Sequence, residues 1–260
     1  MNTLTWIVLF TLLSAVVGVA AAGSVVLLPG PVVRRLLPRL VGFAIGTLLG
    51  AAFLGLLPHA LGGVELAVAH RVLLVVLVGV LGFFLLEKMV LWRHCHSAHC
   101  DAHEPDPADA QRAATGVLIL VGDGVHNLVD GVLIAAAFLT DIHLGVVTTL
   151  AVLAHEVPQE LGDVAILLRG GFSRARAVGL NLLSSLTTIL GGVAAYYALG
   201  AVEHMIPYVL AVAAASFIYI ALSDLIPDLH RETSARVTAE QMALIGAGIA
   251  VIAMVHSTVH

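Results

Sequence analysis

Polar residues are sparse along this chain, and its apolar residues come in runs longer than a soluble core needs. Eight runs stand out, at about 4–28, 38–58, 69–92, 113–139, 143–168, 175–200, 205–227 and 239–259. Each can cross a hydrocarbon core of about 30 Å at about 1.5 Å rise per residue, so each predicts a transmembrane helix. Turn-forming residues separate them: Pro29, Gly30 and Pro31 after the first, Pro105 and Pro107 in the third connection, Gly170 and Gly171 after the fifth. Pro58 lies at the end of the second run and Pro227 at the end of the seventh. The pattern predicts an all-α polytopic membrane protein, with residues 1–260 as one transmembrane domain. Its longest polar loop falls at about 93–112.

Two runs carry polar strings in their middles. The fourth contains Asp123-Gly124-Val125-His126-Asn127-Leu128-Val129-Asp130, and the fifth contains His155-Glu156-Val157-Pro158-Gln159-Glu160-Leu161-Gly162-Asp163. Ionisable groups at membrane depth are costly, so they are expected to have a partner or a function.

Composition supports the membrane assignment. Hydrophobic residues make up 60% and charged residues 11%, with mean hydropathy +1.03. An average soluble domain is about 25% charged. Net charge of −5 decides little, because placement matters more. Arg34, Arg35, Arg39, Lys88, Arg93, Arg112, Arg169, Arg174, Arg176, Arg231 and Arg236 flank odd-numbered connections, and Arg71 alone lies on the other side. By the positive-inside rule the odd connections are cytoplasmic and both termini are outside. The first run, Leu4 to Leu28, contains Ala20-Ala21-Ala22, which imitates a signal-peptide cleavage site. No basic residue precedes it, and it exceeds the usual h-region of roughly 7–15 residues, so it is read as a retained span. The two cysteines, Cys95 and Cys100, share one loop and make no disulfide framework. Scattered basic residues give no nucleic-acid footprint.

At about 100° per residue, His126 and Asp130 fall one helical turn apart, with Asn127 beside them and Asp123 on the same face. His155, Gln159, Glu156 and Asp163 likewise share one face of the fifth helix. Each set spans roughly 140°. Imidazole and carboxylate together suit zinc and neighbouring divalent ions. His126, Asp130, His155 and Gln159 can supply a first metal site, and His126, Asp130, His155 and Glu156 are expected to catch an entering ion. Asn127, Asp130, Glu156 and Gln159 are the expected oxygen-rich neighbour. Neutral amides weaken binding, which suits an ion that must leave again. Pro158 frees the carbonyl of Ala154 and is expected to open the fifth helix beside His155 and Glu156. Gly122, Gly124 and Gly131 allow close helix approach. Interhelical hydrogen bonding is the other use of such residues, but helix packing does not require so many acids and two histidines. Asp123 and Asp163 lie toward the cytoplasm, as release-path ligands or as packing polar groups.

His126-Asn127-x-x-Asp130-Gly131 with His155-Glu156-x-Pro158-x-Glu160-x-Gly162-Asp163 resembles the signature of the ZIP (Zrt-/Irt-like) metal transporters. The resemblance covers the whole chain. It implies uptake of Zn²⁺, or of Fe²⁺, Mn²⁺ or Cd²⁺, into the cytoplasm through a site between helices four and five. It also implies a bundle of three, two and three helices with an elevator-like motion. The fifth-span string is most similar to the branch reading His-Glu-x-Pro-His-Glu-x-Gly-Asp, from which Gln159 departs. Some members add a carboxylate from the sixth span, where this chain offers Asn181, Ser184 and Ser185. One strong site with a weak neighbour is therefore expected.

Other polar residues are less committed. His59 with Glu65, His143, and Glu203 with His204 are outer-end candidates for metal entry, and interfacial residues otherwise. Asp224, Asp228 and His230 stand at the inner end of the seventh span. His94, Cys95, His96, His99, Cys100 and His103 make a dense loop tract, read as a low-affinity metal collector. The function expected is a zinc-preferring transporter in a lipid bilayer, with no enzymatic activity and no nucleic-acid partner; a homodimer is left open. An intramembrane zinc hydrolase is the rival, since Glu156 follows His155 as in His-Glu-x-x-His proteases. Gln159 and Pro158 argue against it. A metal-sensing receptor is the third reading. Eleven Arg against one Lys hints at a GC-rich bacterial genome and an inner membrane.

Overall fold

The computed structural model describes residues 2–62, 64–96, 107–169, 171–200, 203–230 and 234–257. Among these residues the chain is helical with no strand. Helices α1 (Thr3–Val26) and α2 (Gly30–Gly50) are followed by a π-helical turn, Ala51–Leu56, and α3 (Leu57–Leu61). Next come α4 (Leu66–His96), α5 (Pro107–Thr140) and α6 (Ile142–Arg169). The sixth run is split into α7 (Arg174–Ser185) and α8 (Thr187–Gly200). A 3₁₀ turn, Glu203–Met205, leads to α9 (Ile206–Tyr219), a second π turn at Ile220–Leu225, α10 (Ile226–Leu229) and α11 (Ala235–Ser257).

Seven helical stretches among the described residues are long and apolar enough to cross a membrane. The 28-residue α6 has the length as well, and its polar string sets it apart. Several helices outrun their apolar runs. α2 starts at Gly30, so Arg34, Arg35 and Arg39 are helical and not in a loop. Pro31 sits in the first turn, where a missing N–H costs nothing. α4 extends to His96 and α5 begins at Pro107, which shortens the expected 93–112 loop at both ends. An apolar run marks only the lipid-facing part of a helix, whereas backbone bonding continues into water. His99, Cys100 and His103 lie outside the described residues, as do the side chains of His94, Cys95 and His96.

Both π turns precede a proline. The ring of Pro58 would press on the carbonyl of Leu54, and that of Pro227 on the carbonyl of Ser223, each four residues back and inside its π turn. In the wider turn, Leu57 N–H donates to the Ala52 carbonyl and Ile226 N–H to the Ala221 carbonyl. Pro158 lies inside α6, which runs through it as one helix. α6 ends at a glycine cap. Gly171 takes φ 85°, and Gly171 and Phe172 N–H bond to the carbonyls of Leu168 and Leu167 at 3.2 and 3.1 Å.

Two groups of helices pack among themselves. α5 lies against α6 and α8, and α1 against α6 and α8. α2 pairs with α11, and α4 with α9. The main contact between groups is α2 on α6. Closeness within each group depends on glycine: a methyl on Gly131 would strike the Thr188 carbonyl, and one on Gly46 would strike the Ile245 carbonyl. The largest apolar core runs through Leu133–Phe138, Leu144–Val152 and Ala211–Phe217, and smaller ones gather around Leu161 and around Val164 and Leu167. Phe138 seats its ring over Gly145 and meets Phe10 edge-on at 5.2 Å.

Candidate metal site between α5 and α6

α5 and α6 bring four ligand-bearing side chains to one point. One ligand atom each from His126, Asp130, His155 and Glu156 lies within 4.8 Å of the others. The two Nε2 atoms are 3.3 Å apart. Asp130 Oδ2 is 3.6 Å from His126 Nε2 and 3.3 Å from His155 Nε2. Glu156 Oε1 is 3.7 Å from each Nε2. A tetrahedral zinc with bonds of about 2.0–2.2 Å has ligand-to-ligand edges of about 3.3–3.6 Å. The five spacings given, 3.3–3.7 Å, lie in or just above that range.

The surroundings prepare these groups for a cation. His155, Asp130 and Glu156 are between 1% and 3% exposed. His155 Nδ1 lies 3.1 Å from the Ala151 carbonyl. A carbonyl only accepts, so Nδ1 donates to it and Nε2 is the nitrogen turned toward the cluster. Both Asp130 oxygens and Glu156 Oε1 are buried without a hydrogen-bond partner among the described residues. Unpaired buried carboxylates cost several kcal/mol each, and a divalent ion at the centre removes that cost. Two imidazole nitrogens and two carboxylate oxygens form a donor set for zinc or a similar borderline ion. Phe217 of α9 closes one side, its ring edge-on to His155 at 6.0 Å.

Gln159 and Asn127 are directed elsewhere. Asn127 Nδ2 donates to the backbone and side-chain oxygens of Asp123 at 3.1 and 3.0 Å. Gln159 Nε2 donates to the same carboxylate at 3.2 Å, and Ser184 Oγ donates to its other oxygen. The expected first site thus gathers three of its four members, with Glu156 in the place of Gln159. The expected neighbour is divided, since Asp130 and Glu156 join the histidines while both amides bond to Asp123. Asp163 is half-buried.

Glu160 escaped the sequence assignment. It is 1% exposed and accepts from Asn181 Nδ2 and Ser185 Oγ. The signal was its position one turn after Glu156, facing polar residues of the sixth run. Thr187 and Thr188 were also missed. Thr187 Oγ1 reaches the Gly124 carbonyl at 2.6 Å, and Thr188 Oγ1 reaches Asn127 Oδ1 at 2.9 Å. Away from the cluster, His59 Nδ1 lies 2.9 Å from the Gly55 carbonyl. Glu65, His143, His204 and His230 are exposed, and His143 occupies the first turn of α6, capped by Asp141. The side chains of Glu203, Asp224 and Asp228 lie outside the described residues.

The hydrolase reading has no support. Its second histidine would be Gln159, which faces Asp123, and Glu156 belongs to the ligand cluster instead of standing free as a base. A family model described as ZIP zinc transporter matches residues 92–256, which contain the whole cluster. Zinc transporter ZIP13 of Pongo abelii is 36% identical over 230 residues, covering 84% of this chain and 66% of that protein. Zinc transporter ZIP13 of Homo sapiens is 33% identical over 260 residues, 84% of this chain and 70% of that protein. Zinc transporter ZIP10 of Danio rerio is 42% identical over 122 residues, 46% of this chain and 14% of its own length. This chain therefore spans about two thirds of the ZIP13 relatives, and with a family match across more than half of its residues it belongs to the ZIP zinc transporter family.

Proposed function

We propose that this chain moves divalent metal ions, zinc first, across a membrane into the cytoplasm, with His126, Asp130, His155 and Glu156 as the capture site. One observation carries the reading: four ligand atoms lie within 4.8 Å of one another while both carboxylates hold buried oxygens without hydrogen bonds among the described residues. Relatives named as zinc transporters support zinc as cargo. Fe²⁺, Mn²⁺ and Cd²⁺ are further candidates by ligand chemistry alone. One ion is held at a time, and the neighbouring position is incomplete because Asn127 and Gln159 serve Asp123. On release the ion passes Asp123 and Asp163.

The topology proposed is eight spans in one domain, in three, two and three helices, with both termini outside. The basic residues on one side support it, and α6 supplies the eighth span. An interior-negative potential favours entry of a divalent ion by roughly 5 kcal/mol per 100 mV. The helix grouping supports movement of α1 and α5–α8 against α2, α4, α9 and α11. Homodimerisation stays open. A bacterial inner membrane rests on the Arg-to-Lys ratio only, and the matched vertebrate relatives add nothing to it.

Zinc uptake by whole cells expressing the wild type, His126→Ala or His155→Ala tests the proposal. Uptake by the wild type and at least about a tenfold loss in each variant are expected. Normal uptake by both variants would remove the site assignment.

A further inference from the structure

The four-residue cluster is more open on one side than on the other. The His126 side chain is 25% exposed, whereas those of Asp130 and His155 are 1% exposed and that of Glu156 is 4% exposed. Beside His155 stands Phe217 of α9, itself fully buried, with its ring edge-on to the imidazole at 6.0 Å. α9 lies against α4, α5 and α2. Ala213, Ala214 and Ala215, one turn earlier, are also fully buried, so small side chains bring α9 in and the Phe217 ring takes up the space next to the α6 ligand.

This arrangement bears on coordination number. Four protein ligands make a tetrahedron, the geometry usual for zinc. An ion such as Mn²⁺ favours six ligands, so it needs two waters besides the four side chains, and the side chains must rearrange to admit them. His155 has little freedom to do so, because the Ala151 carbonyl holds Nδ1 and Phe217 meets the ring. A buried water needs polar partners and room. Partners are present as the unpaired oxygens of Asp130 and Glu156, and room is what the phenyl ring removes.

We infer that Phe217 is a specificity-determining residue: by confining His155 and excluding water on its side, it keeps the captured ion four-coordinate, which favours zinc over ions that need six ligands. The inference rests on the capture site proposed above, and its test separates the two.

Co²⁺ is the probe, because it enters zinc sites and absorbs visible light far more strongly when tetrahedral than when five- or six-coordinate. Absorbance and bound Co²⁺ are measured on the purified full-length protein at saturating metal. The values of a His126→Ala/His155→Ala chain are subtracted, so that ions held elsewhere cancel, and intensity is expressed per remaining ion. Strong bands are expected from the wild type. Phe217→Ala should still bind Co²⁺, with bands at least about threefold weaker, and its affinity for Mn²⁺ relative to Zn²⁺ should rise at least about fivefold. Phe217→Leu, which keeps most of the apolar volume, should match the wild type. So should Phe138→Ala, an equal cut in the same core about two helical turns from Asp130. Phe217→Thr, which also makes room for water, repeats the test if the alanine variant does not fold. No Co²⁺ left on the wild type after subtraction would overturn the capture site itself. Weak bands in the wild type, strong bands or no bound Co²⁺ in Phe217→Ala, an unchanged metal preference, or an equal change in Phe138→Ala would overturn the role of Phe217 and leave the capture site standing.

Discussion

Asp130 and Glu156 lie in the bundle with oxygens that no hydrogen bond among the described residues satisfies, while Asp123, two turns before Asp130, and Glu160, one turn after Glu156, are ringed by donors. Chemically similar carboxylates have thus been sorted into two kinds, one waiting for a cation and one already saturated. Zinc should therefore stabilise the wild type against heat, by about 2.7 kcal/mol at a concentration one hundred times its Kd. Asp130→Asn and Glu156→Gln should each lose most of that gain, read as a zinc-dependent shift in melting temperature. Ser185→Ala behaves differently. It strips a donor from buried Glu160 and should cost about 1–3 kcal/mol with or without zinc. The ligand residues were legible in the sequence because helical spacing puts His126 with Asp130 and keeps His155 and Glu156 on one polar face of the next helix. What spacing could not decide was rotamer. Gln159 has the right position for a ligand, and only the neighbouring Asp123 explains why its amide points elsewhere.

At the level of helices, the apolar runs predicted every long element, and their ends were less legible. α2, α4 and α5 continue past the apolar residues. The π turns depend on where a proline ring meets a carbonyl, which the eye reads from sequence only as a helix end. The α7–α8 break comes from serine and threonine hydroxyls that bond locally and across to α5. Composition there is polar but carries no turn signal. The α5–α8 contact is the tightest to argue from sequence afterwards, since Gly131 lies against the Thr188 carbonyl. Gly131→Val should push the helices apart and destabilise the protein by about 1–3 kcal/mol, seen as a lower melting temperature. It should also weaken zinc binding, because Gly131 is next to the ligand Asp130.

For the molecule as a whole, the proposed topology rests on the basic residues that mark one side, and by the positive-inside rule it makes the Arg174 end cytoplasmic and the His204 end outside. In a chain with Cys95 and Cys100 replaced by serine, His204→Cys should react with a membrane-impermeant maleimide on intact cells. Arg174→Cys should react only after permeabilisation, and the reverse pattern would invert the topology. The central claim is that zinc crosses the membrane by way of the four-residue cluster. Zinc flux into liposomes holding the purified protein, read by a trapped zinc dye, tests it most directly. Wild-type liposomes should fill faster than empty ones, and His155→Ala liposomes should fill no faster than empty ones. Flux through His155→Ala equal to the wild type, or wild-type flux no greater than that of empty liposomes, would contradict the account.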